Sequence, residues 1–109
     1  MEERRKSKRF TINLKARYFL KGSKGNWEEC TVINISHDGA GLEFYTSEKI
    51  VVGSTLFLEI FVPKVIEPIN VEGVLRWVKQ GKRDFIGGIE VTSKSDKDKL
   101  EVLIITLGL

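Results

Sequence analysis

The chain has a single cysteine, Cys30, and a single histidine, His37. One thiol cannot close an internal disulfide, and its place in an apolar run marks it as a small buried hydrophobe rather than a catalytic group. One cysteine and one histidine do not make a zinc site, so no metal is expected. No apolar run approaches the ~18 residues that would cross a bilayer, and no charged-then-apolar leader opens the sequence. No membrane insertion is expected, and a soluble cytoplasmic protein is the default reading. Nucleophile–base pairs, metal-ligand clusters and glycine-rich phosphate loops leading into a helix are also missing. His37 beside Asp38 mimics a base and its orienting acid, but two polar turn residues is the more economical reading. The chain therefore does not read as an enzyme, and no cofactor is implied. The two prolines, Pro63 and Pro68, bracket a connection and exclude a central strand there.

Neither sign of charge is in large excess: 18 Lys and Arg stand against 15 Asp and Glu, a net +3. The distribution is uneven. Residues 1–9 hold five basic side chains, Arg4, Arg5, Lys6, Lys8 and Arg9, against Glu2 and Glu3. The remainder carries thirteen of each sign. A basic arm on a neutral body suits a local anion site better than a long nucleic-acid track. The arm has no apolar periodicity, which predicts mobility in the absence of a partner.

With 109 residues the chain makes one domain, able to bury roughly 60–70% of its unfolded surface without staples. From Thr11 the pattern alternates. Ile12, Leu14, Ala16 and Tyr18 oppose Thr11, Asn13, Lys15 and Arg17, which predicts a strand with one wet face. Lys21 to Asn26 is a turn by composition. A second strand is expected from about Trp27 to Ile35 and a third from about Gly41 to Tyr45. Thr46 to Ser54 reads as a loop in which Ile50-Val51-Val52 can dock on the core. Leu56, Leu58, Ile60 and Val62 alternate with Phe57, Glu59 and Phe61, a fourth strand apolar on nearly both faces. The Phe57/Phe61 face is expected to lie under the C-terminal helix, and a partner protein is the other cover for it. Ile69, Val71, Gly73, Leu75 and Trp77 share one face of a fifth strand. Phe85 to Val91 is the sixth, softened by Gly87-Gly88, which reads as a bulge or a tight backbone approach. Leu100, Leu103, Ile104 and Leu107 then fall at helical spacing, with Ser95 and Asp98 as cap and first-turn carboxylate. The β-branched Val102, Ile104 and Ile105 leave a seventh strand as the alternative. Six short strands at near-even spacing predict an antiparallel sandwich or small barrel, and closure into a barrel removes exposed edges.

The stretch Asn34-Ile35-Ser36-His37-Asp38-Gly39-Ala40-Gly41 joins the second and third strands as a hairpin. Strict alternation sends Ile33 and Ile35 into the core and leaves Asn34 and Ser36 facing outward at the strand's end. In the arm, Arg5 and Arg9 are four residues apart with Arg4 just before. Guanidinium forks match phosphate oxygens and the O6/N7 edge of guanine, and they stack on flat rings. A compact dianion carrying guanines and phosphates would use all three properties.

Arg5 to Arg9 has the form RxxxR, and Asn34 to Gly39 the form (D/N)xSxxG, with a strand between them. This pairing resembles the PilZ domain family, receptors for bacterial cyclic di-GMP. Gly73 to Trp77, a short basic loop and Gly88 to Val91 resemble the family's closing strand pair, and a helical tail comes after them. The resemblance spans almost the whole chain. It implies a mainly all-β fold, a six-stranded antiparallel β-barrel with a C-terminal α-helix. Residues 1–10 would be the ligand-binding arm, 11–92 the barrel and 95–107 the helix of a single domain. Carried over, Arg5 and Arg9 would grip guanine edges and phosphates. Asn34 and Ser36 would hydrogen-bond the ligand, and Gly39 would keep the backbone clear of it. Arg4 adds a third guanidinium, suited to a stacked pair of ligand molecules. Asn34 stands where Asp is more usual. Its amide does not repel a dianion, and it cannot act as a pure carboxylate acceptor.

The sequence thus reads as a cyclic di-GMP receptor or adaptor that orders its arm on binding and signals to a downstream protein partner. Two other readings stay open. A small β-barrel binding single-stranded nucleic acid would want a basic, aromatic-studded groove along the sheet. Here the basic excess is confined to the arm, so no DNA or RNA partner is expected. A ligand-independent adaptor of the same fold would act through protein contacts alone, although such adaptors lack the arginines this chain has.

Overall fold

A computed structural model describes residues 8–23, 26–46 and 50–109. Arg4 and Arg5, most of the arm, and the tips of two loops lie outside the described residues. Six strands are followed by one helix: β1 Phe10–Leu20, β2 Glu28–Ser36, β3 Gly39–Phe44, β4 Thr55–Ile60, β5 Ile69–Gln80, β6 Phe85–Val91 and α1 Lys94–Thr106. All pairings are antiparallel, and they close in the order β1-β2-β3-β6-β5-β4. The six-stranded barrel with a C-terminal helix is therefore as expected, and the seventh-strand alternative falls away.

Alternation builds the core. Leu14, Ala16 and Tyr18 of β1 face inward with Leu42 and Phe44 of β3, Leu56, Leu58 and Ile60 of β4, and Leu75 of β5. Tyr18 and Phe44 meet edge to face with ring centroids 5.0 Å apart, a preferred geometry for two quadrupoles. Ile50 docks on this core as expected, while Val51 and Val52 stay exposed.

Register shifts lie between Thr11 and Leu14, between Val32 and Asn34, and between Leu75 and Trp77. Each sets one extra residue against the neighbouring strand, as a β-bulge does. In β2 and β5 the shift reverses the facing of the residues beyond it, whereas in β1 Phe10 and Ile12 stay on the core side with Leu14. In β2 the inward residues are Cys30, Val32 and then Ile35, so Ile33, expected in the core, is only half-buried. In β5 the inward run Val71, Gly73, Leu75 resumes at Val78, and Trp77 turns outward at 42% exposure. Ser36, expected to face outward in the open, is 3% exposed.

The helix corrects two further expectations. Its N-cap is Ser93, whose hydroxyl accepts from the Asp96 N–H at 3.1 Å, rather than Ser95. Ser93/Asp96 and Ser95/Asp98 have the same spacing, and with the helix starting at the earlier pair Asp96 Oδ2 accepts from the Glu72 N–H at 3.0 Å. Leu100 and Leu103 then enter the core fully buried. The helix packs against β2 and β5, which sit opposite each other in the barrel order, so it closes one end. It does not cover Phe57 and Phe61. That outer face is filled instead by Phe19, whose ring lies 4.9 Å from Phe57 and 4.7 Å from Trp27. Arg17 stacks over Trp27 at 4.4 Å and pairs with Glu59. Among the described residues, no helix is long and apolar enough to cross a membrane.

Candidate ligand-binding site

The three bulges fall along one row of paired residues. Thr11 of β1 pairs with Asn34 of β2, Asn34 with Gly41 of β3, Gly41 with Gly88 of β6, and Gly88 with Trp77 of β5. The two glycines make the row usable. A Cβ on Gly41 would lie 2.5 Å from Asn34 Nδ2, and one on Gly88 would lie 2.3 Å from Trp77 Nε1. The Asn34 amide and the Trp77 indole therefore lie down on bare backbone. Side by side, they tile the outer face of the barrel. The Gly87-Gly88 pair was legible as a close approach, and the indole is what approaches.

Arg9 stands immediately before β1. Its Nη1 donates to Asn34 Oδ1 at 2.9 Å, so the second arginine of the RxxxR motif and the first residue of the hairpin motif meet. The hairpin turn is only His37-Asp38, because β2 runs to Ser36 and β3 begins at Gly39. Three contacts fix the turn. The Ser36 hydroxyl donates to Asp38 Oδ1 at 2.9 Å. The Val91 N–H donates to the Asp38 carbonyl at 2.9 Å. Gly39 lies so close to β6 that a Cβ would stand 2.4 Å from the Ile89 carbonyl oxygen. Its bareness is demanded by the neighbouring strand as well as by any ligand.

A cavity of about 210 Å³ opens beside this turn, lined by Arg9, Asp38, Gly39, Arg76, Trp77, Gly88, Ile89 and Glu90. Arg76 Nε pairs with Glu90 Oε1 at 2.7 Å, with both side chains about half exposed. An exposed pair of this kind is worth at most about 1 kcal/mol, so an arriving anion can draw Arg76 away. The cavity offers two guanidinium forks, an indole face and carboxylate acceptors, which is the chemistry of a phosphorylated heterocycle. Of the candidate residues, Arg9 and Gly39 line the cavity, while Asn34 is bonded to Arg9 and the buried Ser36 to Asp38, both outside its lining. Arg4 and Arg5 lie outside the described residues. Asp38, Arg76, Trp77 and Glu90 were not singled out from sequence as site residues. The Gly88 opposite Trp77 was the available signal, since a bare residue makes room for a large neighbour. Two larger grooves, of about 420 and 360 Å³, lie elsewhere and contain no arginine.

Cys30 is buried, and burial alone pushes its thiol up to about 12, because a desolvated thiolate is disfavoured. Alkylation at about pH 8 is expected to be negligible in the folded protein and rapid in denaturant. Fast modification of the native protein would contradict this placement. Among the described residues, no three His, Cys, Asp or Glu side chains gather closely enough to hold a metal ion.

The PilZ domain family model matches residues 3–105. The chain belongs to the PilZ domain family. The PilZ domain of YcgR from Escherichia coli, solved with c-di-GMP, has a TM-score of 0.77 at 14% identity, covering 97% of this chain and 92% of that one. The Bacillus subtilis inhibitor of motility, MotI/DgrA, has a TM-score of 0.74 at 18% identity and is matched over 98% of this chain. The present chain spans only 52% of that protein. The PilZ domain of CeSA from a cellulose-synthesizing bacterium has a TM-score of 0.71 at 11% identity, covering 94% of this chain and 100% of that one. These identities establish a shared barrel and no more. No curated protein matches the sequence.

Proposed function

We propose that this PilZ domain is a cytoplasmic cyclic di-GMP receptor, acting as an adaptor and not as an enzyme. The observation that carries the reading is the 2.9 Å bond from Arg9 to Asn34. It joins the RxxxR arm to the (D/N)xSxxG hairpin beside a cavity of matching chemistry. Arg4, Arg5 and Arg9 would supply guanidinium forks to phosphates and guanine O6/N7 edges. The Asn34 amide and the Trp77 indole would meet the ligand from the barrel face, and Ser36 and Gly39 would hold the turn in place. The solved complex of the YcgR PilZ domain with c-di-GMP supports this reading by kinship.

The arm would be the moving part. Its five basic side chains repel one another, and a ligand with two phosphates would neutralise them and bridge them to the turn. Fixing backbone costs about 1–2 kcal/mol per residue, so binding should show a favourable enthalpy opposed by entropy. The arm fixed in this way presents a new surface to a downstream partner without rearranging the barrel. Calorimetric titration is expected to show saturable binding of cyclic di-GMP and to give the stoichiometry. Amide exchange over residues 1–9 should slow on saturation while the barrel strands change little. A flat titration would overturn the receptor reading and leave the ligand-independent adaptor. Unchanged exchange at saturation would remove only the arm mechanism.

A single-stranded nucleic-acid module fits less well. The aromatic groove of Phe19, Trp27 and Phe57 is bordered by Glu59, Glu72 and Asp96, and those carboxylates oppose a polyanion.

A further inference from the structure

The bulge in β5 does more than turn Trp77 outward. Leu75 pairs with Ile89 and Trp77 with Gly88, consecutive residues of β6, so Arg76 is the extra residue of the bulge. Ordinary alternation sends neighbouring side chains to opposite faces. Here Leu75 is buried while Arg76 and Trp77 are both exposed, and both line the cavity beside Arg9. Bulges re-aim side chains in this way next to binding sites. A guanidinium fork and an indole thus stand next to each other on one wall.

The fork is already engaged. Arg76 Nε donates to Glu90 Oε1 at 2.7 Å, and Glu90 lines the same cavity. Both side chains are about half exposed, so water screens the pair, which is worth at most about 5-fold in an equilibrium. A phosphate offers the same guanidinium a bidentate grip. We propose that Glu90 is a built-in competitor of the ligand: it holds Arg76 in the empty site, and a phosphate of cyclic di-GMP takes Arg76 over. This rests on the receptor reading above. Arg76 then binds from the barrel wall, independently of the arm. Glu90 sets the affinity, because the ligand has to displace it, and the wild type binds less tightly than a chain in which Arg76 stands ready.

The test is a double-mutant cycle on the whole chain, read by calorimetric titration with cyclic di-GMP. Arg76→Gln is expected to weaken binding by roughly 10- to 150-fold, the range for a hydrogen bond to a charged group. Glu90→Gln should tighten binding by about 2- to 5-fold. In the double variant that gain should vanish, leaving the affinity of Arg76→Gln alone. A gain of the same size in both backgrounds would mean that Glu90 merely repels the dianion, and would overturn the proposal. So would wild-type affinity in Arg76→Gln. A Glu90→Gln that binds no tighter than the wild type would overturn it too, since Arg76 would then serve both anions at once. Each of these outcomes leaves the receptor reading standing, because the wild type still binds. Melting curves check that the variants fold, and Arg76→Lys or Glu90→Ala replaces one that does not. If the wild type shows no binding, both conclusions fall together.

Discussion

Arg9→Ala is expected to weaken cyclic di-GMP binding by about 5- to 150-fold and to leave the melting curve of the barrel in place. A guanidinium fork on a phosphate or guanine edge is worth roughly 1–3 kcal/mol, which converts to that range. The expected effect on folding is small because Arg9 is exposed and its hydrogen bond to Asn34 lies on the surface. Arg5→Ala should behave alike on the strength of the RxxxR pattern. Calorimetry and a thermal melt on each variant separate affinity from stability. If both variants bind as tightly as the wild type, the arm is not part of the site.

Ile35→Ala is expected to destabilise the domain by about 2–5 kcal/mol, the usual range for truncating a buried isoleucine. Ile35 is fully buried and its neighbour Phe10, paired with it across β1 and β2, packs on the same core. Ser36→Ala, one residue on, should cost only about 0.5–1.5 kcal/mol, because the half-buried Asp38 can exchange the lost hydroxyl for water. It should nevertheless weaken ligand binding by loosening the turn that borders the cavity. Denaturant melts give the first comparison and titration the second. A silent Ile35→Ala beside an unfolded Ser36→Ala would mean that the facing of β2 is inverted.

Much of this was legible in the sequence because it is local. The alternation Ile12, Leu14, Ala16, Tyr18 announces β1, and the stripe through Leu100 and Leu103 announces α1. The hairpin around His37-Asp38 is visible as polar and glycine residues between apolar runs. The features that were not legible depend on pairing. A bulge adds one residue to a ladder without leaving a mark in the apolar pattern, so Val32 took the place of Ile33 in the core and Trp77 was turned out of it. The same non-local pairing carries Arg76, Trp77 and Glu90 to Arg9, from which they are 67, 68 and 81 residues away along the chain. Spacing within any one segment holds no information about that meeting. The N-cap was missed for another reason. Two overlapping Ser-x-x-Asp patterns compete, and the one that forms also places Asp96 where it accepts from the Glu72 N–H on β5, a contact remote in sequence.

The closed ladder restricts how any protein can recognise this domain. Each strand has a hydrogen-bonded neighbour on both sides, so among the described residues no strand presents a whole free edge to an incoming strand. Recognition by addition along a full edge strand, one of the recurring ways a sheet captures a peptide, is closed to it. A partner must read side chains, the helix surface or the basic arm. The first two are present whether or not the site is filled, and a partner that relied on them alone would be blind to the ligand. Discrimination between empty and occupied domain therefore falls to the arm and to the face that Asn34 and Trp77 tile.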